Sequence, residues 1–234
     1  MQIIGIKTPI FKEKQSLLPF LIRHLPPLQE GDILAITSKI VSLSQGRAVS
    51  PKQKVALIKK DSKKIIETPW AQLVLTEDGW CINAGADESN ANKKTILMPR
   101  NPFQVAKHIR MQLKKKFGLK KIGILITDTK SIPLRKGTMG RSVAYAGFEP
   151  LINYIGKKDL FGRKSRLTQS NVADALAASS VLVMGEGDEQ TPLAVIRNAS
   201  VRFTNKKNLA RLPFSPKKDI YARVYRDIPF STSR

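Results

Sequence analysis

The chain has 234 residues, with 41 Lys or Arg against 18 Asp or Glu and a formal net charge of +23. That length buries enough surface to fold without covalent staples, and a single cysteine, Cys81, excludes a disulfide framework and a cysteine-cluster metal site. The opening MQIIGIKTPIF lacks the basic-then-apolar order of a signal peptide, and no stretch reaches the roughly 18 apolar residues of a membrane span, so a cytoplasmic, membrane-free protein is expected.

Taken in chain order, MQIIGI reads as a strand, and KQSLLPFLIRHL (14–25) as a helix with Leu17, Phe20, Leu21 and Leu25 on one face. GDILAITSKIVSLSQGR carries a buried strand at 33–37, followed by Ser38 and Lys39. PKQKVALIKK (51–60) opens with proline at the first helical position. QLVLTEDGWCINAG predicts two strands about a Glu77-Asp78-Gly79 turn. The clearest helix is NPFQVAKHIRMQLKKKFG. Asn101 caps it, Pro102 starts it, Ala106, Ile109, Leu113 and Phe117 make its stripe, and Gly118 ends it. KIGILIT (121–127) is the next strand and stops at Asp128. QSNVADALAASS is a second helix with Ser170 as its cap, and VLVMGEGDEQTP reads as a strand running into an acidic, glycine-bearing loop. The pattern is α/β, with strands mostly separated by helices or long loops.

The positive charge is spread along the chain as recurring Lys-Lys pairs, and aromatics are only 6% of residues. That favours solvated lysine faces over a single-strand stacking platform, and leaves nucleic acid as the minor reading. The acids are more informative because they are scarce. Six of the 18 fall in three short segments: Asp87 and Glu88, then Asp128, then Glu186, Asp188 and Glu189. Each lies in a turn or at the end of an expected strand, where α/β sheets bind ligands. Oxygen donors from separate loops suit a hard cation such as Mg²⁺ or Mn²⁺, which commonly shares its shell with nucleotide phosphates. The Thr129 hydroxyl is a further donor. Ser38, Lys39, Arg135, Lys136 and Arg141 are placed to offset phosphate charge.

Several signatures are missing. No G-x-G-x-x-G follows a strand, and GKKDLFGRKS (156–165) misses the phosphate-loop spacing by one, with Arg163 where lysine belongs. His24 and His108 both fall on expected helices and are read as structural, so neither a triad nor a histidine zinc site is expected.

Together, GDILAITSKIVSLSQGR, NAGADESN, ITDT, RKGTMGRSVAYAGFEPLINYIGKKDLFGR and VADALAASSVLVMGEGDEQTPLAVIRN resemble, in order and spacing, the coenzyme F-420:L-glutamate ligases. The resemblance covers about residues 1–203 and implies an α+β ligase fold of two interleaved subdomains over 1–204 and an intertwined homodimer; residues 205–234, outside it, read from their composition as a basic tail. It implies GTP-dependent amide formation between F-420-0, or a related carboxylic acid, and the amine of L-glutamate. Two divalent cations, Mg²⁺ or Mn²⁺, and K⁺ go with that chemistry.

By the same resemblance, Asp87 and Asp128 hold the first metal and Thr129 the second. Pro9, Ile10, Phe11, Ser38, Lys39 and Asn90 contact GTP. The loop 184–191 serves nucleotide and metal, through Gly185 and Gly187 for the former and Glu186 for the latter. Asp128 and Arg135 are the expected catalytic pair, with Lys39 and Arg135 orienting phosphates.

Three positions depart from the family pattern. Leu43 stands where a second lysine is usual. KSIPLR (130–135) keeps only the proline and Arg135 of a phenylalanine-glycine-arginine-proline-tryptophan-arginine run. Glu186 replaces an expected glutamine. The metal carboxylates are thus retained while groups near nucleotide and substrate change. A divergent homologue that binds nucleic acid or serves as an interaction module is the alternative expectation.

Overall fold

The computed structural model describes residues 1–60, 62–206, 209–215 and 218–223. In chain order the elements run β1 (Gln2–Ile6), α1 (Leu17–His24), β2 (Ile33–Thr37), α2 (Ser38–Ser44), β3 (Ala48–Val49), α3 (Lys54–Lys60), β4 (Lys64–Glu67), β5 (Gln72–Thr76), β6 (Gly79–Ile82) and β7 (Thr95–Ile96). They continue with α4 (Pro102–Phe117), β8 (Gly123–Ser131), β9 (Thr138–Ala146), β10 (Leu151–Asn153), β11 (Gln169–Asn171), α5 (Val172–Met184) and β12 (Leu193–Arg197). The class is mixed α/β.

A five-stranded sheet of order β1-β12-β2-β8-β9 forms the centre. Only β2 and β8 are parallel; the other neighbours are antiparallel. The strand side chains alternate between two apolar layers, which is why these segments read as unbroken hydrophobic runs rather than alternating ones. Leu34, Ile36, Ile124, Ile126, Leu193 and Val195 face α1 and α4, whose Leu21, Ile109 and Leu113 are fully or almost fully buried. Ile33, Leu125, Tyr145 and Ile196 face α5. A smaller antiparallel sheet, β4-β5-β6, packs under α3 through Ile58, Ile65 and Val74.

The described part of the expected tail has contacts with the rest of the chain. Leu209 and Leu212 pack against the α5-side core, the Tyr145 hydroxyl donates to the Ala210 carbonyl, and the Arg211 guanidinium stacks on Phe103 at 3.5 Å. The rest of that expected tail lies outside the described residues.

Three sequence expectations change. The segment 181–184 is helix, not strand: it is the last turn of α5, where Val181 and Met184 are buried but Leu182 and Val183 are apolar side chains left exposed, so the run reads as an unbroken hydrophobic stretch. The cap of α5 is Asn171, whose side chain accepts from the Asp174 amide, and not Ser170. The strand at 121–127 does not stop before Asp128. It runs on to Ser131 because β9 pairs with it throughout, with a register shift between Ile126 and Thr127 and Asp128 opposite Arg141. Asn101 does stand at the start of α4, but with φ 48° and no side-chain cap bond.

Candidate active site

The parallel pair β2 and β8 ends at one place, and a cavity of about 660 Å³ opens there. Four chain segments build it. The first is the stretch after β1, with Pro9, Ile10 and Phe11. The second is the β2–α2 junction, with Ser38 and Lys39. The third is the loop before β7, with Asp87 and Asn90. The fourth is the α5–β12 loop, with Gly185, Glu186 and Gly187. Asp128 and Thr129 of β8 form its floor. The register shift just before them is a bulge of the kind that re-aims side chains beside a site.

Each loop is held by local chemistry. In the loop before β7, the Ser89 amide and hydroxyl both donate to the Asp87 carboxylate, at 2.8 Å each, and the Lys39 ammonium lies 2.7 Å from it. Lys39 also donates to the Ser89 carbonyl at 2.8 Å. Asn90 takes φ 52° and donates from Nδ2 to the Gly187 carbonyl at 2.7 Å, tying this loop to the α5–β12 loop across the cavity mouth. Gly185 has φ +81°, and a Cβ there would fall 2.1 Å from Glu189 Cδ, so only glycine lets the Glu189 carboxylate fold back to accept the Gly187 amide at 2.8 Å.

Charge inside the cavity is opposite to that of the molecule. Burial pushes the Asp128 carboxyl above its ordinary value, and the Arg141 guanidinium, 3.8 Å away, only partly offsets it. Ser38 donates to its other oxygen at 3.3 Å. Glu186 is also raised, by burial and then by repulsion from Asp128, while the Thr129 hydroxyl reaches it at 3.5 Å. At Asp87 burial opposes ionisation, but the Lys39 and Ser89 donors outweigh it and hold the carboxyl below its ordinary value.

Pro9, Ile10, Phe11, Ser38, Lys39, Asp87, Asn90, Asp128, Thr129 and the 185–189 loop therefore line this one cavity as expected, whereas Glu88, Arg135, Lys136 and Arg141 do not. Arg135 and Lys136 sit exposed at the tip of the β8–β9 hairpin, which carries them beyond the strand ends and outside the lining of this cavity. Arg141, expected only as a phosphate partner, lies beneath Asp128 and is buried. Sequence reasoning does not find Ser89. A signal for it exists, as a serine two residues after an aspartate is a common turn pattern in which the carboxylate accepts from the backbone.

The family model described as F420-0:Gamma-glutamyl ligase matches residues 50–198. The chain is similar to the Coenzyme F420:L-glutamate ligase of Methanocaldococcus jannaschii, at 34% identity across 88% of this chain and 91% of that protein. The protein of the same name from Methanococcus maripaludis is also 34% identical, with the same coverage. That from Methanopyrus kandleri is 32% identical over 86% of this chain and 89% of its own length.

Proposed function

Because the chain belongs to the F420-0:Gamma-glutamyl ligase family, we propose that it joins the amine of L-glutamate to the terminal carboxylate of F420-0, or of a related acid, with cleavage of GTP. The observation that carries this reading is the meeting of Asp87, Asp128, Thr129 and Glu186 with Lys39 and Asn90 in one cavity.

Two Mg²⁺ or Mn²⁺ ions fit the donors. All four candidate ligands offer oxygen, and the charge of Asp128 adds to burial in raising Glu186, a repulsion that a cation held by these residues would relieve. Among the described residues no three His, Cys, Asp or Glu side chains form a closed cluster. That suits a metal held by one or two carboxylates, with water and phosphate oxygens completing the shell. Such ions, when bound, neutralise the charge of the transferring phosphoryl group. K⁺ belongs to the same reading.

The chemistry follows from leaving groups. A carboxylate is a poor electrophile. Its oxygen attacks the γ-phosphorus, the bond to the β-phosphate oxygen breaks, and GDP leaves. The acyl phosphate then accepts the glutamate amine at its carbonyl carbon, inorganic phosphate departs, and the amine gives up a proton. In this sequence Lys39 exchanges Asp87 for a phosphate oxygen, and the Asn90–Gly187 bridge helps exclude water.

The two-subdomain, homodimeric organisation is part of the proposal. Its support is apolar surface: Leu160 is 97% exposed and Phe161 95% exposed at the tip between β10 and β11. The deciding experiment is a coupled assay for GDP release. Turnover is expected only with GTP, Mn²⁺, F420-0 and L-glutamate together. GDP release that does not depend on glutamate would overturn the amide-forming reading.

A further inference from the structure

A second cavity of about 560 Å³ lies at the other end of the sheet. The catalytic cavity takes Thr127 to Thr129 of β8, whereas this one adjoins Ile122, just before that strand. Five residues of extended chain separate them, or roughly 16 Å. The two cavities share no lining residue.

Its wall is one stripe of α4. Lys107, Arg110, Met111, Lys114 and Lys115 recur at helical spacing and face the cavity, turned away from the apolar stripe of Ala106, Ile109 and Leu113. Lys206 closes the far side. Among the described residues no carboxylate lines it. Among the same residues, Lys107, Arg110, Lys114 and Lys115 make no ion pair, while Lys206 reaches Glu149 at 3.0 Å.

Lysines in the last turn of a helix complement its dipole, which accounts for Lys114 and Lys115 as ordinary surface. It does not account for Arg110. Arg110 Nε donates to the Ile122 carbonyl at 2.8 Å and Nη2 to Asn205 Oδ1 at 2.7 Å, so the guanidinium is fixed by neutral acceptors. Desolvation lowers its pKa with no carboxylate to offset the cost. The backbone makes room for it: Gly147 has φ +94°, and a Cβ there would lie 2.4 Å from Arg110 Nε and 2.3 Å from the Ile122 carbonyl oxygen. A rigid, partly desolvated guanidinium amid unpaired ammonium groups, with Leu119 and Leu209 completing the lining, is a receptor for a multiply charged anion.

We propose that this cavity is a second ligand site, separate from the catalytic one, and that it takes a phosphate-bearing anion of nucleotide size. The cavity volume is within the range of small-ligand sites. The proposal does not depend on the ligase reading, because none of its residues belongs to the catalytic cavity.

The test is calorimetry with inorganic tripolyphosphate in EDTA, on the full chain and on Lys107→Ala/Lys114→Ala/Lys115→Ala. Arg110→Lys, which keeps the charge and loses the fork, is the second variant. The triple variant is expected to bind at least about tenfold more weakly, a change of about 1.4 kcal/mol. Both variants should keep the Mn²⁺-GTP melting shift of the parent chain. Tripolyphosphate binding equal in all three proteins overturns the site, as does no binding to the parent chain. A single-stranded oligonucleotide is the other arm. If it binds more tightly than tripolyphosphate, and the triple variant flattens its salt dependence by about 0.7 for each phosphate no longer neutralised, the site stands and the phosphates are those of a nucleic-acid backbone. If tripolyphosphate binds and the oligonucleotide does not, the site stands for a free anion.

Discussion

Asp128 and Asp87 face the same cavity with opposite electrostatic settings, and that difference is measurable without any ligand. Asp128 is raised by burial, so its folded value exceeds its unfolded one. Its contribution to stability is therefore fully present below the ordinary carboxylate value, 3.8, and is lost as pH rises through the folded value. Asp128→Asn is expected to melt at or above wild type at neutral pH, with the advantage shrinking toward pH 4. Each kcal/mol recovered is worth about 2–4 °C in a chain of this size. Asp87 is lowered against burial by Lys39 and Ser89, so its contribution is present above the unfolded value and lost as pH falls through the folded one. Asp87→Asn should melt below wild type at neutral pH, and the two curves should converge in acid. Thermal melts across pH check both signs. A drop in melting temperature for Asp128→Asn at neutral pH, with the Mn²⁺-GTP shift retained, would make Asp128 a structural residue.

Gly185 carries a sharper residue-scale prediction. Replacement by alanine forces a Cβ into the space of the Glu189 carboxylate, at a backbone angle that side chains rarely adopt. Gly185→Ala is expected to lose nucleotide binding, by calorimetry, out of proportion to any loss of helix content. The acids and the glycines of this site were legible in the sequence because carboxylates are scarce in so basic a chain. The position of Arg141 was not. Its burial beneath Asp128 depends on pairing between β8 and β9, and residue spacing carries no register.

Among the elements, α5 does most to position the site, since it delivers the 185–191 loop and packs along β9. The approach is close at Gly140, where a Cβ would sit 2.6 Å from the Ala177 carbonyl oxygen and 2.8 Å from Val181 Cγ2. Gly140→Ala should cost about 1–3 kcal/mol by overpacking, seen as a lower urea midpoint. A midpoint within error of wild type would mean that α5 shifts freely on the sheet. This helix is also where the sequence misled. Val181, Leu182, Val183 and Met184 are β-branched or apolar in a row, and a short apolar run does not distinguish strand from buried helix. By contrast the extent of α4 was legible, because proline, a three-to-four-residue apolar rhythm and a closing glycine agree, although Asn101 makes no side-chain cap bond.

For the whole molecule, the charge of +23 is segregated. The cavity at the ends of β2 and β8 gathers carboxylates around Lys39, while α4 presents a cation stripe at the opposite end of the sheet. Such a surface resists self-association over long range, so a dimer requires an apolar contact that outweighs it. The β10–β11 connection is the best candidate in the described chain. It is a formed structure: Gly156 donates to the Ser165 carbonyl, Asp159 to that of Arg163, and Asp159 Oδ1 accepts from Phe161 and Arg163. Yet Leu160, Phe161 and Leu167 are almost fully exposed on it. A hairpin ordered by its own hydrogen bonds, with apolar side chains held out in water, is arranged for docking. Light scattering is expected to give twice 26.1 kDa, about 52 kDa, for the wild-type chain. Burying two such side chains contributes roughly 1.5–3 kcal/mol each, so Leu160→Glu/Phe161→Glu should shift the mass to that of one chain, more readily at low salt. The far-UV spectrum should not change, because neither side chain packs within the described core. A wild-type mass of one chain, or a dimer indifferent to this double substitution, would remove the hairpin from the interface.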